Sequence, residues 1–338
     1  MTKNKTIALA LFSGGLDSTL ACRLVAKQGI KVVAVKFITP FFGYELLQIQ
    51  DEYIQKIKET SDIDVILKDV TIPYLELLKN PAHGYGKNFN PCIDCKIFLL
   101  TEAKKMMAEI GASFLVTGEV IGQRPMSQRR DALRVIERDS GCEDILVRPL
   151  CAKNLEPTQA ELDGLIDREQ LLAFSGRTRK PQMQLAEQFG ITDYPSPAGG
   201  CILTDPILSL RIQEYYVKQE RIIPEDILLM MVGRQFKLPS GGWLAVGRNQ
   251  AENIKIENLQ QPGDWLLEPH KIPGPSAILR YSSGPEDLQT AASIVVRYSK
   301  KSEVGQGSAL IVADKGGAKH EIDAWPLDDA VFQPWLSK

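Results

Sequence analysis

An α/β fold is predicted for this chain of 338 residues: a doubly wound parallel sheet with a smaller C-terminal α+β domain. Three observations predict it. Short apolar runs alternate with helical stretches through the first half, and a Ser-Gly-Gly turn joins the first run to the first helix. After about Gly190 the composition shifts to short strands and Gly/Pro turns. Alternation at this spacing implies right-handed βαβ units, and sheets of that kind bind ligands at the carboxyl ends of their strands.

Residues 6–12 are uninterruptedly apolar, as expected of a strand buried on both faces. Ser13-Gly14-Gly15-Leu16-Asp17-Ser18 follows. Its glycines permit a sharp turn that brings bare N–H groups close to an anion. Ser18 and Thr19 then open a helix whose N-terminus is electropositive, ending near Gly29. No Lys follows the glycines, so the Walker spacing is absent. Residues 31–37 read as a second strand, 45–60 as a charged helix and 64–68 as a third strand. Residues 95–110 are periodic and close at Gly111, a helix stop. Residues 113–117 and 144–148 are further strands, and Thr158 with Glu161 has capping-box form. Pro195, Pro197 and Pro206 then punctuate a loop, and a helical stretch runs through Met230. Strands are expected at 243–246, 265–267, 276–279 and 309–312, with an Ala-rich helix at 286–299. The expected organisation is a nucleotide-binding domain at 1–190, a cysteine-bearing loop and helical linker at 191–235, and the last domain at 236–338.

Composition narrows the function classes. A chain that is 44% hydrophobic and 24% charged can bury a large core. No apolar run approaches ~18 residues, so no membrane span is expected. The start leads directly into a core strand with no signal-peptide layout, and cytoplasm is the expected location. A net charge of −2 gives no global attraction to nucleic acid, so an RNA site has to be a local basic patch. Six cysteines without a secretion signal argue for reduced thiols or metal ligands over structural disulfides.

Cys92 and Cys95 stand three apart after Asn90-Pro91, where a turn or first helical turn aims both at one place. Cys201 follows Gly199-Gly200 in a second glycine turn. Three thiolates suit a [4Fe–4S] cluster with one iron left open. Zinc would want a fourth ligand, which His83 could supply, or a water. A redox or catalytic thiol pair with Cys201 buried is the competing reading. Cys22 is expected in the core, and Cys142 and Cys151 are given no role. A third feature is the strand-end segment from Thr117 to Arg130, whose Glu119, Gln123, Gln128, Arg124, Arg129 and Arg130, with Arg134 beyond, could grip phosphates or an RNA backbone. Its alternative is a solvated helix face.

Ser13-Gly-Gly-Leu-Asp-Ser18, Thr117-Gly-Glu-Val-Ile-Gly-Gln-Arg-Pro-Met-Ser-Gln128 and Leu146-Val-Arg-Pro-Leu150 occur in the order seen in tRNA 4-thiouridine synthetases. Residues 5–205 therefore resemble the PP-loop ATP pyrophosphatases of the tRNA thiolation group. The Cys92/Cys95/Cys201 set resembles that of their cluster-dependent members, 2-thiouridine synthetases included. The usual THUMP-containing region is not found in this sequence, and no rhodanese domain follows. The last domain instead resembles NFACT-type RNA-binding domains, through Val246-Gly-Arg-Asn249 with Asn253, Asp264-Trp265, His270-Lys-Ile-Pro-Gly274, Ala291-Ala292 and Tyr298-Ser-Lys300.

The resemblance implies an adenine nucleotide alpha hydrolase fold and ATP-dependent tRNA sulfurtransfer. ATP would be held by Ser13, Gly14, Gly15, Asp17 and Ser18, with Phe37 and Gly118. Asp17 would carry Mg²⁺, and Asp17, Cys92, Cys95 and Cys201 would be catalytic. RNA would meet Gln123, Arg124, Gln128, Arg129, Arg130, Arg177, Arg179 and Lys180, with Lys271, Lys300 and Lys301 adding phosphate contacts. Partners implied are tRNA and either sulfide or a sulfur-donor protein, with a homodimer allowed and no membrane. Two other readings stay open: adenylation of a small metabolite, and a nucleotide-sensing RNA-binding adaptor without catalysis.

Overall fold

The computed structural model describes residues 6–196, 199–300 and 307–337. The chain forms two compact units, Met1–Thr204 and Asp205–Lys338.

The first unit is built from β1 (Ile7–Leu11), α1 (Leu16–Ala26), β2 (Lys31–Ile38), α2 (Gln50–Ser61), β3 (Asp64–Asp69), α3 (Thr71–Leu77), α4 (Cys92–Ile110), β4 (Phe114–Thr117), α5 (Arg130–Ser140), β5 (Leu146–Val147), α6 (Gln159–Leu162) and α7 (Lys180–Gln188). Its five strands pair in parallel in the order β3-β2-β1-β4-β5. Side chains alternate across the sheet, and the two faces of β1 feed different cores. Ala8, Ala10 and Phe12 pack with Leu16, Leu20 and Val25 of α1 on one side, whereas Leu9 packs with Leu100, Leu115 and Ile136 on the other. Both faces are covered, which is why the strand reads as a continuous apolar run. Replacing the fully buried Leu9 by Ala would cost about 2–5 kcal/mol. Strand order reverses at β1, so the crevice between β1 and β4 is the topological switch point.

The helix expected at 95–110 begins at Cys92, because the Cys95 N–H already closes onto the Pro91 carbonyl at 2.7 Å. Its end is as read: Gly111 takes φ 71° as the C-terminal stop. The segment around Arg130 and Arg134 is α5, a helix that buries only Ala132, Leu133, Ile136 and Ser140 and leaves its arginines to solvent. At α6 the Glu161 carboxylate accepts from the Thr158 N–H and hydroxyl, both at 2.8 Å, yet the helix lasts four residues.

The second unit comprises α8 (Pro206–Lys218), α9 (Pro224–Met230), β6 (Arg234–Lys237), β7 (Trp243–Val246), α10 (Gln250–Asn258), β8 (Trp265–Pro269), β9 (Ala277–Arg280), α11 (Pro285–Tyr298), β10 (Ala309–Lys315), β11 (Ala318–Ala324) and α12 (Asp329–Phe332). Six antiparallel strands run β11-β10-β8-β9-β7-β6. The apolar face of α11, with Ala291, Ala292, Ile294 and Val295, packs into a core with Phe236, Leu244, Leu279 and Phe332. Several residues of the NFACT-type resemblance turn out to hold this unit together. Asn253 donates to the Gly274 carbonyl at 3.3 Å, and a Cβ on Gly274 would meet Pro269 Cγ at 2.5 Å. Lys301 lies outside the described residues.

Candidate nucleotide and thiol site

The turn after β1 carries the first half of the site. Gly14 has φ 82°, a left-handed conformation that favours glycine. Gly15 is the cap residue of α1, and its carbonyl accepts from the Ser18 hydroxyl at 2.8 Å and the Thr19 hydroxyl at 3.2 Å. Ser13 and Ser18 hydroxyls meet across the turn at 3.1 Å. Opposite, β4 ends in Gly118, where a Cβ would stand 2.5 Å from the backbone of Asp17. Glycine there lets the strand end touch the start of α1, closing the switch point.

Two residues that sequence reasoning missed complete this corner. Lys36 of β2 donates to the Ser13 carbonyl at 2.7 Å and lies 5.6 Å from the Tyr53 ring centroid. Burial lowers its pKa and the Glu45 carboxylate opposes that shift. The signal was a lysine in an apolar strand. Phe37, the neighbouring residue expected at ATP, is buried in the core beside Leu9 and Leu115.

The loop after β4 supplies polar groups. Gln123 donates to Asp17 Oδ2 at 2.9 Å. Asp17 Oδ1, Gln123 Oε1, Ser127 Oγ and Gln128 Oε1 are buried without a hydrogen-bond partner. Native interiors rarely leave such atoms unpaired, so this concentration marks capacity for a polar ligand. Beneath it lies a charge network. Arg148, 2% exposed, bonds Glu119 Oε2 through Nε at 3.0 Å and also pairs with Glu137. Lys96 Nζ stands 3.2 Å from Glu119 Oε1. Burial would raise the Glu119 pKa, but the Lys96 and Arg148 cations outweigh it and bring it down to about 2.

The thiols form the second half. Cys92 and Cys95 sit on the first turn of α4. Phe89 donates to the Leu203 carbonyl at 3.3 Å and Asn88 to that of Thr204 at 2.7 Å, which ties the segment bearing Cys201 to the loop before α4. Cys201 thereby comes within electrostatic range of Cys92 and Cys95. Tyr74 of α3 hydrogen-bonds Cys95 and rests on Phe42 and Phe98, with centroids 5.7 and 5.9 Å away. Burial pushes the Cys95 thiol up to about 11 despite that bond. Burial also raises Cys201, opposed by the Leu203 N–H and by Arg124. Pro197 and Ala198 of the same loop lie outside the described residues.

His83 does not serve as a fourth ligand. Its Nδ1 faces Asp94 at 3.4 Å and its Nε2 faces Asp139 at 2.9 Å, so both nitrogens are committed elsewhere. Among the described residues, no three His, Cys, Asp or Glu side chains converge tightly enough to hold a metal ion. Cys92, Cys95 and Cys201 are free thiols that influence one another's charge, and thiolates are the donor type that iron–sulfur clusters use. Cys22, Cys142 and Cys151 are buried.

The basic residues divide. Arg129 is bonded twice to Asp131 at 3.1 and 3.0 Å, and Arg130 donates to the Asn154 carbonyl at 2.9 Å. Arg124 is exposed beside Cys201. A bridge between Ile121 and Ser175 lays the segment leading to Arg177, Arg179 and Lys180 against the Gln123 loop. Arg177 and Lys180 are exposed, whereas Arg179 buries an unpartnered Nε. Lys271 and Lys300 lie in the second unit.

A glycine turn thus stands at the switch point of a five-stranded parallel sheet, backed by a strand-end glycine and a polar loop. Residues 3–157 match the family described as Thiamine biosynthesis protein (ThiI), and residues 233–336 match the NFACT protein RNA binding domain. The two matches fall on the two segments for which the sequence suggested those resemblances. A probable tRNA sulfurtransferase of Ureaplasma urealyticum serovar 10 is 33% identical over 146 residues, 42% of this chain and 36% of that protein. One from Methanothermobacter thermautotrophicus is 33% identical over 123 residues, 36% of this chain and 31% of that protein. The chain spans about a third of the length of these curated relatives. A solved 4-thiouridine synthetase–RNA complex with bound ATP is 22% identical, covering 55% of this chain and 52% of that one with a TM-score of 0.35.

Proposed function

We propose that this protein is an ATP-dependent tRNA sulfurtransferase, which adenylates a uridine carbonyl oxygen and replaces it with sulfur. One observation carries the reading: in a single unit, the Ser13–Ser18 turn at the switch point accompanies three thiols from two distant segments. A nucleotide sensor needs no such thiols, and a metabolite-adenylating enzyme has no evident use for the RNA-binding-type domain. Sulfurtransferase relatives at 33% identity support it further.

ATP is the substrate. Its pyrophosphate fits the N–H groups of the turn and the α1 N-terminus, with Lys36 alongside. Asp17, through its unpartnered Oδ1, is the group to hold Mg²⁺, which would neutralise the leaving pyrophosphate. The uridine oxygen attacks the α-phosphorus and pyrophosphate departs; a sulfur nucleophile then displaces AMP from the base. Cys92, Cys95 and Cys201 handle that sulfur. They are the residues that would hold a [4Fe–4S] cluster, which would offer sulfide a binding position. Gln123 fixes the Asp17 carboxylate, and Gln128, Arg124, Arg177, Arg179 and Lys180 guide RNA whose target base leaves its stack. No helix among the described residues is long and apolar enough to cross a membrane, and the cytoplasm, which keeps thiols reduced, is the proposed place of action.

The test is iron and acid-labile sulfide on protein purified without oxygen, beside ATP–pyrophosphate exchange with and without tRNA. About four irons per chain, lost in Cys201→Ala, together with tRNA-dependent exchange is the expected result. Exchange without tRNA would move the reading to a small metabolite, and no exchange would leave an adaptor. Exchange without iron would place persulfide chemistry on the same cysteines.

A further inference from the structure

The second unit contains a cavity of about 190 Å³ that the PP-loop chemistry does not use. Arg211, Tyr215 and Lys218 of α8 line it, with Lys237, Trp243 and Tyr281 from the sheet. Pockets that enclose drug-sized ligands run about 300–1,000 Å³, so this one has room for a single ring system. We propose that it takes one unpaired nucleotide of RNA, the base against the aromatic wall and the phosphate at Arg211 and Lys218. This deepens the tRNA reading and rests on it.

The wall is built to present ring faces. Trp243 and Tyr281 lie nearly parallel at 23°, with centroids 6.4 Å apart. Their polar ends are already engaged: Trp243 Nε1 donates to Gln235 at 2.7 Å, and the Tyr281 hydroxyl donates to Asp226 at 2.6 Å. Tyr215 reaches the same Asp226 oxygen, also at 2.6 Å. Asp226 is buried and fixed by Arg280 at 2.7 Å. Rings tethered this way lose little entropy on binding and offer π-faces without a hydrogen-bond code, which suits any base.

Backbone strain falls at the same place. Tyr281 has φ 57°, a left-handed conformation that a bulky aromatic residue rarely adopts. The other non-glycine residues with positive φ, among those described, are Asp62, Asn88 and Lys271. Strain of this kind concentrates at ligand clamps, and here it sets the ring that is 53% exposed at the cavity.

Charge completes the argument. Glu214 pairs with Lys237, which leaves Arg211 and Lys218 in excess. Arg211 donates through one arm to the Ser337 carbonyl at 2.7 Å and through the other to the Met230 carbonyl at 3.4 Å, while its Nε is buried without a partner. An anion beside stacked rings is what a nucleotide offers. Duplex RNA keeps its bases stacked on one another and cannot insert one. Arg211, Tyr215 and Lys218 also lie outside the segment that matches the RNA-binding family.

The experiment measures binding of the full chain to a labelled single-stranded oligoribonucleotide and to its blunt duplex, by fluorescence anisotropy at fixed salt. Lys218→Glu reverses an exposed charge, and Tyr281→Asn removes the ring with a residue that tolerates φ 57°. Each variant is expected to weaken single-strand binding about 10-fold, and ultraviolet crosslinks should map to Trp243 or Tyr281. Wild-type affinity in both variants, or equal preference for the duplex, overturns the pocket while tRNA-dependent exchange keeps the sulfurtransferase reading standing. Absence of RNA binding by the wild-type chain overturns both. Selective loss of binding to an acidic peptide, with RNA binding unchanged, would reassign the cavity.

Discussion

Each unit buries an arginine between two carboxylates, and the two are finished differently. In the second unit every nitrogen of Arg280 is used: Nε and Nη2 reach Asp264, Nη1 reaches Asp226, and Nη2 also donates to the Leu259 carbonyl. In the first unit Arg148 bonds Glu119 and Glu137 but leaves Nη2 without a partner. Close by in the chain, Gln123, Ser127 and Gln128 carry unpaired atoms too. A closed network fastens what it holds, and one with spare polar capacity leaves room for a ligand. Burial alone does not separate them, since both arginines are almost fully enclosed.

The sharpest way to break that contrast is at the open end. Asp17→Ala removes the carboxylate held by Gln123 and should lower AMP formation at least ~100-fold, in line with the loss of a preorganised charge at a reacting phosphate. RNA binding should be unchanged; its loss would show that the turn serves something other than nucleotide chemistry. At the closed end, Arg280→Met strands Asp226 and Asp264 and should cost the second unit about 3–5 kcal/mol in urea unfolding. ATP binding by the first unit should survive. Equal weakening of both units would mean that the network fastens more than its own domain.

Acid sharpens the comparison further. The folded pKa of Glu119 is depressed to about 2 from the ordinary 4.5, so its ionised form stabilises the fold above the unfolded value. That contribution should fade as pH falls from about 4.5 toward 2. Glu119→Gln should therefore be less stable than wild type at neutral pH and show a smaller further loss through that window. An unchanged acid slope would mean that Glu119 is not coupled to Lys96 and Arg148 as the geometry has it.

What was legible in the sequence follows the same division. The parallel strands announced themselves because both faces are buried, and the turn because Gly14 and Gly118 answer backbone needs that few residues meet. The thiol trio was visible as residue types, but what brings the Cys201 segment near Cys92 and Cys95 is Asn88 and Phe89 holding Leu203–Thr204, contacts that no local pattern encodes. β11 was missed because Ala-Lys-His-Glu-Ile-Asp-Ala is an edge strand exposed over most of its length. Lys36 and Tyr281 were missed for a common reason. Each matters through where its tip or backbone goes, and periodicity reports only which face a residue occupies.

The smallest expected effect tests two exposed arginines of the segment after β4. Arg129 is already matched by a two-point bond to Asp131, and a phosphate must compete with that carboxylate before gaining its charge. Arg124 instead stands exposed near Cys201, where its charge opposes the rise of that thiol. If RNA passes the cysteines, Arg124→Ala should lower the salt dependence of tRNA binding by roughly one phosphate contact, a change of about 0.7–0.9 in the logarithmic slope. Arg129→Ala should change it less. The reverse order would place the RNA path along the start of α5, away from Cys201, and the proximity of thiols to substrate that the sulfur-transfer reading requires would have to come from another approach.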